Sequence, residues 1–167
     1  LVGLSNVSLA GLHVYDGHLG ISNYQERKTE VDSAFHQVDD LLEYVTVSLG
    51  KEPMVIAGGS PSFSVHNLRE NVYLSPGTNV LWDWGYGERL KEQEFDYAAL
   101  LLTRVISKPA NGIVTIDLGH KAVAAENPIE KRFKILNLDT YTVLGQSEEH
   151  GVLQVNAATW DRIQVGD

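Results

Sequence analysis

The sequence contains no cysteine, which excludes disulfides, a thiolate nucleophile and thiolate-ligated zinc within these residues and fits a cytoplasmic home. Long apolar runs are missing too. None approaches the roughly 18 residues that a membrane span requires, and Leu1 to Gly11 carries neither a basic n-region nor a cleavage site. Positive charge is in short supply: 13 Lys plus Arg against 22 Asp plus Glu give a formal charge of −9. Nucleic-acid binding needs clustered Lys and Arg on phosphates, and the basic residues here are scattered. No serine stands in a Gly-x-Ser-x-Gly arrangement, so a hydrolase nucleophile elbow is absent. Internal repeats and low-complexity segments are absent as well. The chain opens without Met on an apolar stretch and stops at Val165-Gly166-Asp167, so the expectation is of a piece cut at both ends.

What is present is 167 residues with 43% hydrophobic and 21% charged content, enough to bury a core as one domain or as two pieces of something larger. The first third reads as α/β. Leu9 to Tyr15 is a short apolar strand, and a helix follows from about Arg27. Its apolar positions, Val31, Ala34, Phe35, Val38, Leu41, Leu42, Val45 and Leu49, recur by threes and fours, with Gly50 placed to cap its C-terminus. Met54 to Ala57 is nearly all apolar, as suits a parallel strand covered on both faces. Strand, helix, strand makes a βαβ unit. After the turn signal Ser75-Pro76-Gly77 the pattern changes to β-leaning runs: Asn79 to Trp84, Ala98 to Ser107, Gly112 to Leu118, Phe133 to Leu138, Tyr141 to Leu144 and Val152 to Val155. These predict an antiparallel β-domain over residues 76–167 after an α/β part over residues 1–75.

Four segments carry chemistry. Ala57-Gly58-Gly59-Ser60-Pro61-Ser62 follows an apolar strand, and Pro61 suits the first turn of a short helix. Such a turn offers backbone N–H groups and small hydroxyls to an anion, and glycine lets the backbone approach it closely; it also reads as a plain strand-to-helix turn. Gly11 to His18 brings His13, Tyr15, Asp16 and His18 to a strand end, the end that faces ligands in a parallel sheet. Alternation places His13 and Tyr15 on one face, where they could orient or protonate a substrate. The other reading is a polar loop with one buried Tyr. Asp117-Leu118-Gly119-His120-Lys121 invites a Schiff-base role for Lys121. An unperturbed lysine is protonated, however, and Asp117 would favour the charged form, so a solvated residue is the alternative. Ser147-Glu148-Glu149-His150-Gly151 is either an exposed turn or a set of groups behind a metal or at a subunit contact. Trp82, Trp84 and Trp160 read as core or interface residues.

Taken in order, and with Pro76-Gly77-Thr78-Asn79-Val80 leading to Asp83, these segments resemble the D-threonine aldolase and D-serine dehydratase family of pyridoxal-phosphate enzymes. The resemblance implies an alanine-racemase-like (β/α)₈ barrel followed by a β-domain, of which this chain would be the C-terminal part. It implies that Gly58, Gly59 and Ser60 bind the cofactor phosphate, that Tyr15 lines the cofactor pocket, and that Tyr15 and His13 are the catalytic candidates here. The family's Schiff-base lysine would lie upstream of Leu1. The divalent metal, zinc or manganese, would be held just after Asp167. The implied activity is lysis of a small β-hydroxy D-amino acid, in a homodimer or in a nicked complex with the missing N-terminal part. Two alternatives stay open: an amino-acid racemase or epimerase on the same scaffold, and a catalytically silent cofactor-binding or dimerisation module.

Overall fold

The computed structural model describes residues 4–167. The chain forms two compact units, Leu1–Ala99 and Leu100–Asp167.

In the first unit, strand β1 (Gly11–Val14) is followed by helix α1 (Tyr24–Leu49) and strand β2 (Met54–Ala57). Helix α1 starts three residues before the expected Arg27. Asn23 caps it, its Oδ1 accepting the Glu26 N–H at 3.1 Å, and Gly50 ends it at φ 68°, as the sequence predicts. The face built from Val31, Phe35, Val38 and Leu42 is the expected stripe, and Phe35 packs with Val55 and Ala57 of β2. Each fully buried apolar side chain of this kind contributes about 1.5–3 kcal/mol. Arg27, fully buried in the first turn of α1, ion-pairs with Glu92 and donates to the carbonyl oxygens of Ile21 and Ser22.

After β2 come the short helix that Pro61 suggested, α2 (Phe63–His66), and strand β3 (Val72–Leu74), which the sequence reading did not anticipate. The sheet order is β1-β2-β3, parallel throughout, with Val14 beside Ala57 and Ala57 beside Leu74. All three strands therefore end at one edge, where their following loops gather.

The expected change of pattern at 75/76 and the division of the structure at 99/100 differ. Asn79 to Trp84, read as a strand, coils instead into a 3₁₀ turn (Thr78–Val80) and leads into helix α3 (Trp84–Arg89). Asp83 starts α3, its Oδ1 accepting the Tyr86 N–H at 2.9 Å as an N-cap. Trp82, only 2% exposed, then packs on Tyr86 and Phe95 within the first unit.

The second unit is a four-stranded antiparallel sheet of order β4-β5-β7-β6, from β4 (Val105–Ala110), β5 (Ile113–Ile116), β6 (Tyr141–Gln146) and β7 (Gly151–Val155), closed by helix α4 (Ala157–Arg162). The antiparallel expectation holds, with two corrections. Ala98 to Arg104 precedes the strand rather than joining it, and Phe133 to Leu138 forms no strand. The Ile135 N–H donates to the Tyr141 hydroxyl at 2.9 Å instead of to a neighbouring strand, while Phe133, Ile135 and Leu138 pack against the core. That core consists of Val105, Val114, Ile116, Leu118, Leu153 and Val155. A cavity of about 370 Å³ opens beside it and holds none of the sequence-predicted site residues.

Leu153 is 1% exposed and Leu102 is 84% exposed. Leu153→Ala is expected to lower unfolding stability by about 2–5 kcal/mol, and Leu102→Ala to change it by no more than about 0.5 kcal/mol. Urea titration checks both, and equal effects would contradict the assigned core.

Candidate functional site

The loops Tyr15 to His18, Gly58 to Ser62 and Ser75 to Thr78 follow β1, β2 and β3 at the shared edge of the parallel sheet. Ligands of open α/β sheets bind at that end. His13 and Tyr15 are exposed, as a ligand-facing pair must be. His13 Nε2 lies 3.4 Å from Ser75 Oγ, and Ser75 Oγ donates to the Gly58 carbonyl at 2.9 Å. The Tyr15 ring lies over Gly17 and Gly59, and a Cβ built on Gly59 would stand 3.1 Å from its Cε2. Glycine at 59 is thus what lets the phenol rest on the loop.

The segment Gly58 to Ser62 is buried throughout. Gly58 takes φ 90°, a left-handed conformation suited to glycine, and turns the chain out of β2 toward α2. The centre of the arrangement is Asp16, which the sequence places in a polar loop and the structure buries to 6% exposure. Its Oδ1 accepts the Gly59 N–H at 3.3 Å and the Ser62 hydroxyl proton, and its Oδ2 lies 2.7 Å from His66 Nε2. Arg69 Nε donates to His66 Nδ1 at 3.3 Å, so Nε2 carries the ring proton and donates it toward Asp16. Arg69 in turn reaches Asp32 at 2.5 Å and lies over the Phe35 ring at 4.3 Å. Burial pushes the Asp16 carboxyl up, but the hydrogen bonds from His66, Ser62 and Gly59 outweigh it and leave the group below the ordinary 3.8.

This differs from the expectation that the Gly58, Gly59 and Ser60 amides all face an anion. Gly59 turns its N–H inward, shared between Asp16 and Ser62 Oγ, the latter at 3.1 Å. Ser60 is placed otherwise. Its Oγ accepts the Thr78 N–H at 3.1 Å, and its carbonyl accepts from Gln93 Nε2 at 3.0 Å. Having accepted that bond, the Ser60 hydroxyl still has its own proton to give. A Cβ on Gly77 would meet nothing within 4 Å, so the turn beside Thr78 is open. Sequence reasoning missed His66, Arg69, Gln93 and the part played by Thr78. The His66 to Arg69 spacing of three on a helical turn was the one local signal available.

In the second unit the Asp117 to Lys121 and Ser147 to Gly151 segments come together, with the Lys121 N–H donating to the Glu148 carbonyl at 2.9 Å. Lys121 Nζ lies 3.1 Å from both Glu148 and Glu149, and these hydrogen bonds hold the exposed ammonium above the usual lysine value. The solvated reading of Lys121 matches this geometry. Its acidic neighbours are these two residues rather than Asp117, which accepts at 2.7 Å from both Thr103 Oγ1 and the Arg104 N–H. Among the described residues no group of three or more His, Asp or Glu side chains is arranged to hold a metal, and no helix is long and apolar enough to cross a membrane.

The chain shares its fold with part of D-threonine aldolase from Filomicrobium marinum, on which it superposes with a TM-score of 0.77 at 23% identity, covering 95% of this chain and 43% of that one. It also superposes on an alanine-racemase-like protein from Idiomarina loihiensis with a TM-score of 0.67 at 17% identity, covering 94% and 46%. Residues 98–167 match the family described as "Putative serine dehydratase domain". Among curated proteins, the chain is 28% identical over 156 residues to D-threonine aldolase of Arthrobacter sp., covering 91% of this chain. It is 23% identical over 159 residues to 3-hydroxy-D-aspartate aldolase of Paracoccus denitrificans (strain Pd 1222), covering 89%. The chain spans about 40% of the length of each of these curated relatives. The resemblance to the D-threonine aldolase and D-serine dehydratase family read from the sequence is thereby borne out.

The Asp16 geometry carries a pH consequence. A carboxyl held below its ordinary value contributes stability that is present above about 3.8 and is lost as pH falls through the folded-state value. Asp16→Asn is expected to flatten the fall in urea midpoint between about pH 5 and pH 2 relative to the parent. An unchanged acid limb would contradict the bonding assigned to Asp16.

Proposed function

We propose that this chain is the C-terminal part of a pyridoxal-phosphate lyase acting on a small β-hydroxy D-amino acid, by aldol cleavage or by dehydration, on an alanine-racemase-like barrel and β-domain. One observation carries the reading: the loops after three parallel strands gather at one sheet edge with Ser60 and Thr78 in contact, in a chain alike along about nine-tenths of its length to two aldolases. The named substrates of those relatives both carry a hydroxyl on Cβ of a D-amino acid. That common feature sets the proposed substrate class.

The residues support a cofactor phosphate at the Gly77–Thr78 turn, where space is open, reached by the proton of the nearly buried Ser60 hydroxyl that meets Thr78, and not at the Gly59 amide, which is spent on Asp16. Pyridoxal phosphate, when bound, supplies the electron sink for breaking a bond at Cα. The chain's own share is to hold and orient. The Ser60 hydroxyl donates to the phosphate, and the Tyr15 phenol, resting on Gly59, forms the exposed wall beside it. His13, set by Ser75, stands at the same edge to hold or pass a proton at Nε2. The Schiff-base lysine and any zinc or manganese site belong, on this reading, to sequence outside these residues. The expected setting is cytoplasmic; the expected dimer is supported by the exposed run Leu100, Leu101 and Leu102, an apolar patch of the kind that marks an interaction surface.

The test is the complete protein carrying this chain, loaded with pyridoxal phosphate and offered D-threonine, 3-hydroxy-D-aspartate and D-serine. Aldehyde plus glycine, or 2-oxo acid plus ammonia, is expected; inversion at Cα alone would favour a racemase, and no turnover a silent module. Ser60→Ala should raise the dissociation constant for pyridoxal phosphate about tenfold or more, the loss of a hydrogen bond to a charged group. Lys121→Ala should retain the cofactor's visible absorbance. A pyridoxyl group found on Lys121 after borohydride reduction and peptide mapping would overturn the placement of the catalytic lysine outside this chain.

A further inference from the structure

Asp16, Ser62 and His66 together hold a serine, an imidazole and a carboxylate within bonding reach, the residue types of a nucleophilic triad. The bonds run the wrong way for that. Ser62 Oγ–H and His66 Nε2–H both donate to Asp16, so no imidazole nitrogen faces the serine to take its proton. Ser62 is fully buried and His66 is 1% exposed, so no substrate reaches them. What the cluster does is mechanical. A carboxylate taken from water needs its acceptor sites filled, and Asp16 has them filled by three donors from the segment that carries Ser60: the Gly59 N–H, the Ser62 hydroxyl and the His66 ring. Behind His66, Arg69 fixes the tautomer, and Asp32 holds Arg69 while itself receiving Lys28 at 2.5 Å.

We infer that Asp16 is a positioning residue for the phosphate loop: by accepting from Gly59, Ser62 and His66 at once it sets where Ser60 presents its hydroxyl. The inference rests on the phosphate site proposed above and adds to it the residue that holds that site in place. It also explains why Gly59 turns its amide inward, since that amide is one of the three ties. An asparagine at 16 cannot serve all three donors. Its amide nitrogen must face either Ser62 and Gly59 or the His66 N–H, and turning the imidazole tautomer to meet it would set the Nδ1 proton against Arg69 Nε.

The experiment compares pyridoxal phosphate with pyridoxal, which lacks the phosphate, as ligands of the complete protein and of its Asp16→Asn, Ser62→Ala and Ser60→Ala variants. Dissociation constants are read by absorbance titration under conditions where circular dichroism shows each variant folded. Asp16→Asn should weaken pyridoxal phosphate by about tenfold to a hundredfold, the range seen when partners behind a binding group are removed, and leave pyridoxal nearly unchanged. Ser62→Ala, which keeps the charge and removes one donor, should lower the same preference about threefold or more. If Asp16→Asn does not fold, Ser62→Ala decides the matter by the same ratio. Equal weakening of both ligands, or of neither, in a folded variant overturns the inference. If Ser60→Ala leaves the preference intact, the phosphate site itself is misplaced; if Ser60→Ala lowers it and Asp16→Asn does not, only the role of Asp16 falls.

Discussion

A carboxylate buried under the end of a parallel sheet sets the terms for everything around it. Removing the Asp16 charge from water costs several kcal/mol unless donors replace the lost hydration, and removing one partner of a buried charge is strongly destabilising. Gly59, Ser62 and His66 supply those donors, and each belongs to the connection after β2. The loop after β1 and the loop after β2 are thereby tied at one atom group. Ser60, between the ties, is held from its other sides by Thr78 and Gln93. Three stretches of chain thus converge on a serine whose hydroxyl proton is uncommitted, and the exposed Tyr15 covers the glycine beside it.

How much of this was legible in the sequence follows from the range of each interaction. Helix α1, with its Gly50 terminus, and strands β1 and β2 are local patterns, and they stand where the pattern puts them except that α1 starts at Tyr24 rather than Arg27 and β1 spans Gly11–Val14 rather than Leu9 to Tyr15. The loop motifs were legible as places where chemistry could occur. Asp16 as their anchor was not, because its donors lie 43, 46 and 50 residues downstream and nothing near it in sequence marks it as buried. Gln93 was invisible for the same reason, and His66 had only its spacing of three from Arg69 to mark it. Gly59 misled in an instructive way: a glycine after a strand can leave its amide to a ligand or spend it on the fold, and only the partner decides.

The errors after residue 75 have a common cause. Apolar, β-branched runs become strands only where another strand receives them. Phe133 to Leu138 has its central amide taken by the Tyr141 hydroxyl, and Asn79 to Trp84 forms a 3₁₀ turn that leads into the helix capped by Asp83. Lys121 is the converse case. Its place at the end of a strand suggested chemistry, and the two carboxylates of the neighbouring turn hold it as an ammonium instead.

The central claim is that Ser60, held by the Asp16 anchor and the Thr78 turn, receives the phosphate of the cofactor. A crystal structure of the complete protein grown with pyridoxal phosphate tests it most directly. The account predicts a phosphate oxygen within hydrogen-bonding distance of Ser60 Oγ, with Gly59 N–H still turned to Asp16. A phosphate bound elsewhere, or a Gly59 amide swung out to meet it, would contradict the account.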